Sequence, residues 1–386
     1  MRRISRWTAL AAVLLLALVA SACGSNSDST ASAGGDDASA PGKGSEAVGF
    51  IFVGPKDDFG YNQAAYDGAM AVKDAFPDLD VLTAENVPET DEAARVMEGM
   101  IAKGAKIIFA TSYGHLDAAL KVAADHPDVA IVQQGNLIKD DVPANAGTYF
   151  GTVYEPVFLA GMVAGKQTKT NKLGYVYAFP IPQTIANIDA FELGALSVNP
   201  KAETYVVNTS NWCDPAKQEE AARSLLSQGV DVLTQHQDCT ATVTKAAEAA
   251  GAMVVGYHAD ASSLAPKGWI AGSEWDWAEL YKDIVQTSLA GEFTGSKYNA
   301  NFRSGLKDGL NPFVQSKFGA GVSQETKDLV AAAEKDIAGS GSPFKGPIMS
   351  QDGKELVAAG TVPDYATIES TMVVFVKGVI GELPKS

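Results

Sequence analysis

Residues 211–218, "NWCDPAKQ", place an indole, a thiol and a carboxylate side by side, between a strand-like run and a helix-like one. Such a stretch could supply a nucleophile, a metal site or a platform for a ligand. A nucleophilic Cys213 would need a base and an orienting acid, and His236 and Asp238 are available for these roles. The attacking species would be a thiolate, so this interpretation requires a reduced cysteine.

A metal site could be assembled from the same region of the chain. Its possible ligands are His236, Cys213, Cys239, and His258 or Asp260. The spacing of His236 and Cys239 is plausible for metal ligands, but the sequence has no C-x-x-C pair and only four histidines. We therefore expect neither a metal nor a cofactor.

The start of the chain has the pattern of an export signal. Three arginines precede an apolar run at residues 7–20, and small residues follow before Cys23. The run is shorter than the roughly 20 apolar residues of a spanning helix, so we expect residues 1–22 to be a signal peptide and not a retained membrane helix. The small residues before Cys23 resemble a bacterial lipobox, which implies that this thiol is acylated.

The segment after Cys23 has the composition of a linker. Residues 24–47 contain almost no large apolar side chain and cannot bury enough surface to offset the entropy of ordering. We predict a lipid-anchored flexible tether over residues 23–46, which would hold the protein on the extracytoplasmic face of the cell membrane. The alternative is an ordinary secreted protein with a disordered N-terminus.

Cys213 and Cys239 remain in the exported body. They follow two strand-like runs, 204–209 and 231–237, which we expect to be neighbours in a sheet. In an oxidising compartment the simplest prediction is one disulfide, which closes a loop of about 26 residues and contributes on the order of 3 kcal/mol. An exported pair of cysteines argues against a free thiolate.

The charge of the chain excludes some partners. Its formal net charge is −16, and removal of residues 1–22, which contain three arginines and no acid, lowers it to −19. Nucleic acid and anionic lipid both demand a basic face, so we expect no nucleic-acid partner. The remaining residues, about 340, exceed what one core usually holds, which predicts two domains.

Strand-like and helix-like runs alternate along the chain. Val/Ile-rich segments such as 48–54 are separated by amphipathic stretches of 10–15 residues, which is typical of parallel sheets built from right-handed βαβ units. Two such series, separated by the helix-like segment 154–168, predict an α/β protein with two doubly wound lobes. The predicted lobes are residues 47–165 plus about 262–300, and residues 166–261 plus part of 301–386.

In open parallel sheets, ligands bind outside the carboxyl ends of the strands, where helix N-termini also point. This rule selects the loops "GPKDDFGYN", "TSYG", "SNWCDP", "QHQDC" and "GYHAD". Flat apolar faces and acceptors concentrate there, and they suit a planar heterocycle that carries N–H donors. The flat side chains are Phe59, Tyr61, Tyr113 and Trp212, and the acceptors are Asp58, Asn62, Asp214, Asp238 and Asp260.

Several of these residues also have a purely structural interpretation. Asp214 followed by Pro215 is a standard helix start, Asp58 could be a turn residue, and Trp212 could pack the lobes. The recurrence of an aromatic residue with an acid at the same end of both lobes favours a ligand site. The sequence contains no Walker loop, G-x-S-x-G or H-E-x-x-H motif, so we expect a binding protein and not an enzyme.

A resemblance to a known family rests on several segments, among them "VGFIFVGPKDDFGYNQAAYDGA", "NWCDPAKQEEAARSLLSQGVDVLTQHQD" and "QDGKELVAAG". They are similar to the basic membrane protein family of solute-binding lipoproteins for ATP-driven importers, which includes purine nucleoside receptors. The similarity covers nearly all of residues 47–386 in order. It implies a type I periplasmic-binding-protein fold, with two α/β lobes, three hinge crossings and a ligand buried between the lobes.

The resemblance also implies roles for individual residues. Tyr61 and Asn62 match the aromatic residue and the asparagine of the family's first loop, and Trp212 matches the aromatic residue before its Asp-Pro. In the nucleoside receptors these two rings sandwich the base. Asp260 matches a recurrent acid of the family's corresponding loop.

The chain departs from the nucleoside branch at two places. Val53 and Gly54 stand where that branch tends to have Thr-Asp, and "GSEWDW" replaces a segment with a lysine. These departures remove groups that would hold a ribose, and the chain looks closer to members thought to bind a free purine such as adenine.

We therefore predict a monomeric, tethered substrate-binding protein that captures a purine base, with its nucleoside as the alternative ligand. Hinge closure around the ligand would present a closed shape to an ABC permease. The alternatives are a nucleoside-metabolising enzyme on the same fold and a ligand sensor for a signalling partner. The residues leave adenine, guanine, a nucleoside and a flavin open as ligands.

Overall fold

The structure is a computed structural model that describes residues 40–308, 312–315 and 317–384. The predicted signal peptide and Cys23 lie outside the described residues. Residues 40–46, the end of the predicted tether, pack against the body, because Gly42 N donates to Asp128 O at 3.0 Å and Ser45 Oγ accepts from Lys106 N at 2.7 Å. Within the described ranges, no helix is long and apolar enough to cross a membrane.

Strands and helices alternate through most of the described chain. The strands are β1 (Ala47–Ile51), β2 (Asp80–Ala84), β3 (Ala105–Ala110), β4 (Ala130–Gln134), β5 (Ala146–Gly151), β6 (Lys172–Tyr177), β7 (Glu203–Asn208), β8 (Val232–His236), β9 (Met253–His258), β10 (Trp269–Trp275), β11 (Asn301–Ser304), β12 (Phe313–Gln315), β13 (Ile348–Met349), β14 (Glu355–Val357) and β15 (Val379–Ile380). The α-helices are α1 (Tyr61–Ala75), α2 (Asp91–Ile101), α3 (Leu116–Asp125), α4 (Tyr154–Gln167), α5 (Pro182–Val198), α6 (Pro215–Ser227), α7 (Ala241–Ala249), α8 (Ala278–Leu289), α9 (Gln324–Ser340) and α10 (Tyr365–Thr371).

The first lobe is built on a six-stranded sheet in the order β11-β5-β4-β3-β1-β2, in which all neighbours are parallel. Its four inner strands, β5, β4, β3 and β1, are buried on both faces because helices cover both, whereas the edge strands β2 and β11 are partly exposed. In β1, Val48 and Phe50 point to one hydrophobic cluster, whereas Ala47 and Ile51 point to another. This alternation follows from the two-residue period of a strand.

The second lobe is built on a seven-stranded sheet in the order β12-β10-β9-β8-β6-β7-β15. Its neighbours are parallel except that β12 pairs antiparallel with β10. Two mostly parallel sheets in tandem are the architecture that the alternation of strands and helices predicts, so the predicted α/β fold class is confirmed.

The chain crosses between the lobes three times, and two crossings differ from the predicted boundaries. Helix α4 packs against α5 and β10, so the first crossing lies near residues 152–153 and not at 165. Strand β10 belongs to the second sheet, although the prediction assigned residues 262–300 to the first lobe. The chain returns to the first lobe with α8, which packs on α1. It then adds β11 to the first sheet and crosses to the second lobe again.

Candidate ligand-binding cleft

The carboxyl ends of both sheets face each other across a cleft, as the rule for parallel sheets requires. The space between the lining side chains, counted with its opening to solvent, is about 360 Å³. The lining residues are Val53, Tyr61, Ser112, Tyr113 and Phe150 from the first lobe, and Ile181, Gln183, Trp212, His236, Asp238 and His258 from the second.

Tyr61 and Trp212 bring one aromatic ring from each lobe to this cavity. Tyr61 opens helix α1 and meets His258 edge-on, with ring centroids 5.1 Å apart. Trp212 lies in the loop between β7 and α6, where it meets Phe179 edge-on at 5.0 Å, and its Nε1 donates to Glu89 Oε2 of the first lobe at 3.4 Å. Both rings are therefore held by neighbours at the edge of the cavity.

A hydrogen-bonded chain of three polar side chains connects the lobes beside the cavity. Asn62 Nδ2 donates to Asp58 Oδ2 at 2.8 Å and to Asp238 Oδ2 of the second lobe at 3.0 Å. Burial raises the pKa of Asp238, and the nearby Asp58 carboxylate raises it further. Burial also raises the pKa of Asp58. Asp238 is thus a buried carboxyl group whose charged form is disfavoured unless a donor, such as one on a ligand, stabilises it.

The loops that carry Trp212 and Asp238 are joined to each other. Cys213 and Cys239 form a disulfide with Cα atoms 5.4 Å apart, and Asp238 N donates to Trp212 O at 2.9 Å. Gln218 Nε2 donates to Asp238 O at 2.8 Å and to Trp212 O at 3.3 Å. Because both thiols are consumed in this bond, the structure offers no support for Cys213 as a nucleophile or a metal ligand.

Two buried histidines present N–H groups at the cleft. Burial lowers the pKa of His236 to about 3, and burial followed by His236 lowers the pKa of His258. Both rings are therefore neutral at pH 7. Trp275 Nε1 donates to His258 Nδ1 at 2.7 Å, and Asn187 Nδ2 donates to His236 Nδ1 at 3.2 Å. In a neutral ring whose Nδ1 accepts, the proton is on Nε2, so each histidine keeps one donor.

Of the nine rings and acceptors selected from the strand-end loops, Tyr61, Tyr113, Trp212 and Asp238 line the cavity, whereas Asp58 lies behind it as a partner of Asn62. Phe59 does not, because it has a positive φ of 56° and packs against the core of the second lobe. Asn62 lies behind the cavity and connects the lobes as described above.

The other two predicted contacts have structural roles. Asp214 caps helix α6, where Oδ1 accepts from Lys217 N at 3.2 Å. Asp260 is exposed, and its Oδ1 accepts from Ser262 N at 2.8 Å. Each carboxylate is used within its own loop, so neither reaches the cavity.

Sequence reasoning missed seven lining residues: Val53, Ser112, Phe150, Ile181, Gln183, His236 and His258. Ser112 stands next to Tyr113 in a loop that the strand-end rule selected, so that rule could have included it. His236 was considered as a catalytic base or a metal ligand, and His258 only as a metal ligand. Among the described residues, no group of three or more His, Cys, Asp and Glu side chains could hold a metal ion.

Two lobes that close on a buried cavity define a ligand-binding protein of the periplasmic-binding type. The chain belongs to the Bmp family of PnrA-like ABC transporter substrate-binding proteins, whose model matches residues 45–342. It is an ABC transporter substrate-binding protein of this type, and such proteins work outside the cytoplasm with a permease and a small-molecule ligand.

Similar proteins agree with this assignment. The chain is 33% identical over 343 residues, 88% of its length and 94% of the relative's, to a purine-binding protein of Brucella abortus. It is 33% identical over 303 residues, 77% and 75% of the two lengths, to a protein of Haloferax volcanii named as a candidate ABC transporter glucose-binding protein. A solute-binding protein of an ABC transporter system from Aeropyrum pernix shares the fold with a TM-score of 0.67, 18% identity, and coverage of 84% of this chain and 95% of that one.

Proposed function

We propose that this protein binds a purine base such as adenine, or alternatively its nucleoside, between its lobes and delivers it to an ABC permease. The observation that carries the proposal is the cavity itself, where Tyr61 and Trp212 approach from opposite lobes and Asp238 lies beside them. A flat ligand that contacts both rings would hold the cleft shut, and closure of this kind is how such proteins signal occupancy.

The hydrogen-bonding groups of the cavity match the edge of a purine. Asp238 accepts, whereas His236 and His258 each keep an N–H donor on Nε2. A purine presents both ring nitrogens that accept and N–H groups that donate. Its π faces suit aromatic neighbours, since stacking of a base on such a ring is worth roughly 1–3 kcal/mol.

The size of the cavity favours a small heterocycle. Its empty space of about 360 Å³ already includes the opening to solvent, so the enclosed part is smaller. A free base is smaller than a nucleoside or a flavin and would therefore require the least opening of the cleft. The purine-binding protein of Brucella abortus supports the same class of ligand.

A sugar is the second candidate ligand, because the relative from Haloferax volcanii is named for glucose. Aromatic rings can also cover the face of a sugar. A hexose, however, needs polar partners around its whole rim, and four of the lining side chains are the apolar Val53, Phe150, Ile181 and the ring of Trp212. We therefore rank glucose below a purine and include it in the test.

We further propose that Cys23 is acylated after removal of residues 1–22, and that the protein is a monomer tethered to the extracytoplasmic face of the membrane. The small residues before Cys23 and the linker-like composition after it support this proposal. A Cys23→Ala protein should leave the membrane fraction. Retention of that variant at the parent's level would contradict the anchor.

The ligand can be identified without prior assumptions. The protein is purified without denaturation, and the small molecules released on unfolding are identified by mass spectrometry. Isothermal titration calorimetry of ligand-stripped protein then compares adenine, guanine, adenosine, riboflavin and glucose. We expect a purine to be released and to bind most tightly, and preferential binding of glucose or riboflavin would overturn the purine proposal.

A further inference from the structure

The segment "GSEWDW", residues 272–277, sets the chain apart from the nucleoside branch, and it contains the end of strand β10. Trp275 of this segment is buried. Its ring is tilted against Phe150 of the first lobe, with centroids 4.7 Å apart, and stacks on Trp277 with centroids 4.4 Å apart. The indole is therefore held in one orientation, and Trp275 is not one of the residues that line the ligand cavity.

A hydrogen bond from this indole fixes the tautomer of a cavity histidine. Trp275 Nε1 donates to His258 Nδ1 at 2.7 Å, and both side chains are buried. An indole N–H can only donate, so His258 Nδ1 must accept, and the neutral ring carries its proton on Nε2. The other tautomer would place two N–H groups against each other. Trp275 thus makes His258 a fixed hydrogen-bond donor.

The Nε2 atom of His258 opens to the ligand cavity. His258 lines this cavity, and its other ring nitrogen is occupied by Trp275. Nε2 makes no hydrogen bond to any described residue, and it is accessible, unlike Trp277 Nε1, which is buried without a partner. His258 also has a φ of 71°, in the left-handed region that non-glycine residues rarely adopt outside functional sites. The backbone and Trp275 together therefore place this donor in the cavity wall.

The second histidine of the cavity is not fixed in this way. His236 Nδ1 lies 3.2 Å from Asn187 Nδ2 and 3.3 Å from Tyr257 Oη. An amide can turn over to offer its oxygen, and a hydroxyl can donate or accept. Asn187 Oδ1 has no donor in the described part of the chain, so a turned amide leaves one atom unpaired, as the present one does. His236 can therefore exchange its donor for an acceptor, whereas His258 cannot.

We propose that Trp275 is a positioning residue for ligand selectivity: it keeps His258 a donor, so the ligand must present a hydrogen-bond acceptor to His258 Nε2. The inference rests on the proposed purine ligand, for which the acceptor is a ring nitrogen that carries no proton. A purine with an N–H group at this point would place two donors together, and neither would have a partner. Trp275 therefore acts against wrong ligands without contacting them.

Calorimetry with adenine and xanthine tests this selectivity, because most ring nitrogens of adenine carry no proton and most of those of xanthine do. In slightly acidic buffer, in which xanthine is neutral, the parent should prefer adenine. Trp275→Phe removes the indole N–H and keeps a ring against Phe150, and Trp275→Gln supplies an amide that can accept. In both variants His258 can change its tautomer, so we expect the preference for adenine to fall about 5- to 100-fold.

Trp269 provides a matched control. It is a buried tryptophan of the same strand, its Nε1 donates to Lys317 O at 3.1 Å, and it does not line the cavity. Trp269→Phe should keep the parent's preference for adenine. Trp275 variants that weaken adenine and xanthine equally would show that Trp275 only packs the core, which overturns the inference while leaving purine binding intact.

Nitrogen NMR of isotope-labelled histidine reads the tautomer directly and needs no ligand. His258→Asn identifies the signal among the four histidines of the chain, because asparagine tolerates a positive φ. The parent should carry the proton on Nε2 alone, and Trp275→Phe should show both tautomers. A proton on Nδ1 in the parent, or an unchanged tautomer in Trp275→Phe, overturns the inference. If the parent binds no purine, the proposed function fails and the ring-nitrogen acceptor fails with it, whereas the tautomer still shows whether Trp275 fixes His258.

Discussion

At the scale of single residues, the aromatic rings of Tyr61 and Trp212 should provide much of the binding free energy. Loss of stacking on one ring is worth roughly 1–3 kcal/mol, so Trp212→Ala and Tyr61→Ala should each weaken purine binding about 5- to 150-fold. Trp212→Phe should recover most of the affinity because it keeps a flat face. Calorimetry on folded protein measures each effect.

Tyr66 provides a matched control for this prediction. It lies on the same helix as Tyr61 and is likewise partly buried, but it does not line the cavity. Tyr66→Ala should therefore bind purines as the parent does. Parent-like binding by the Tyr61 and Trp212 variants as well would mean that these rings only pack the lobes.

Asp238 should strengthen purine binding and lower the stability of the folded, unliganded protein. Burial disfavours its charged form, so Asp238→Asn removes a cost from the folded state while keeping an oxygen for Asn62. We expect the thermal midpoint of the unliganded variant at pH 8 to be higher than that of the parent. Purine affinity should fall about 10-fold or more, because a neutral amide accepts an N–H group less strongly than a carboxylate does.

A variant that loses both stability and binding would show that Asp238 holds the fold. Unchanged affinity together with the higher midpoint would place the ligand elsewhere. Scanning calorimetry without ligand and titration calorimetry with adenine, on the same preparations, distinguish these outcomes.

Which residues reach the cavity could be predicted only in part. Trp212 and Asp238 were identified because each directly follows a strand, where loops of a parallel sheet converge. Asp214 and Asp260 occur in the same kind of loop, yet each is used by a neighbouring backbone N–H. Gln183 was missed because nothing in its local sequence shows that it meets Gly135 across the cleft.

At the scale of elements, the disulfide should act on the ligand site as well as on stability. It joins the loop after β7 to the loop after β8 across 26 residues of chain, and both loops carry cavity residues. We expect the Cys213→Ser, Cys239→Ser double variant to lose on the order of 3 kcal/mol of unfolding free energy. Its purine affinity should also fall, because Trp212 and Asp238 are no longer held together.

Chemical denaturation and titration calorimetry, with and without a phosphine reductant, test this prediction. The reductant should weaken the parent to the level of the double variant and leave the double variant unchanged. If the reduced parent keeps its affinity, the hydrogen bonds of Gln218 alone suffice to hold the loops.

Strands and helices could be predicted from the sequence where buried side chains recur with the period of the element. In β1, and in β3 from Ile107 onward, alternate residues belong to two different hydrophobic clusters. Short apolar runs between amphipathic helices therefore predicted a parallel sheet. Helix α4 is buried on nearly all sides. The apolar pattern of α4 therefore does not show which of the two sheets the helix packs on. For this reason the predicted lobe boundary at residue 165 lies after the first crossing, which is near residues 152–153.

At the scale of the whole molecule, contacts across the cleft hold the two lobes together. Asn62 reaches Asp238 at 3.0 Å, and the rings of Phe150 and Trp275 meet with centroids 4.7 Å apart. At the hinge, Glu155 is the second residue of helix α4, just after the first crossing, and its Oε2 accepts from Leu306 N, after β11, at 2.7 Å. One carboxylate therefore connects the first and third crossings.

This carboxylate should make stability depend on pH. Burial, with a smaller contribution from the nearby Asp308 carboxylate, raises the pKa of Glu155 to about 7, although the hydrogen bonds from Leu306 and Thr152 act in the opposite direction. Between about pH 4.5 and 7 the folded protein keeps a proton that the unfolded chain has released, so the contribution of Glu155 to the free energy of unfolding falls as pH rises. Glu155→Gln removes this dependence and keeps an oxygen for Leu306. Relative to the parent, the variant should gain on the order of 2–3 kcal/mol between pH 5 and 8.

Urea unfolding of parent and variant at several pH values measures that difference. Burial also raises the pKa of Glu192 to about 7. Glu192 contributes equally to the pH dependence of unfolding in both proteins, so its contribution cancels in the difference. Glu98→Gln, on the exposed face of α2, is the matched control and should follow the parent at every pH. A constant difference between Glu155→Gln and the parent from pH 5 to 8 would mean that Glu155 is ionised throughout, and that its bond to Leu306 holds the crossings together without a proton.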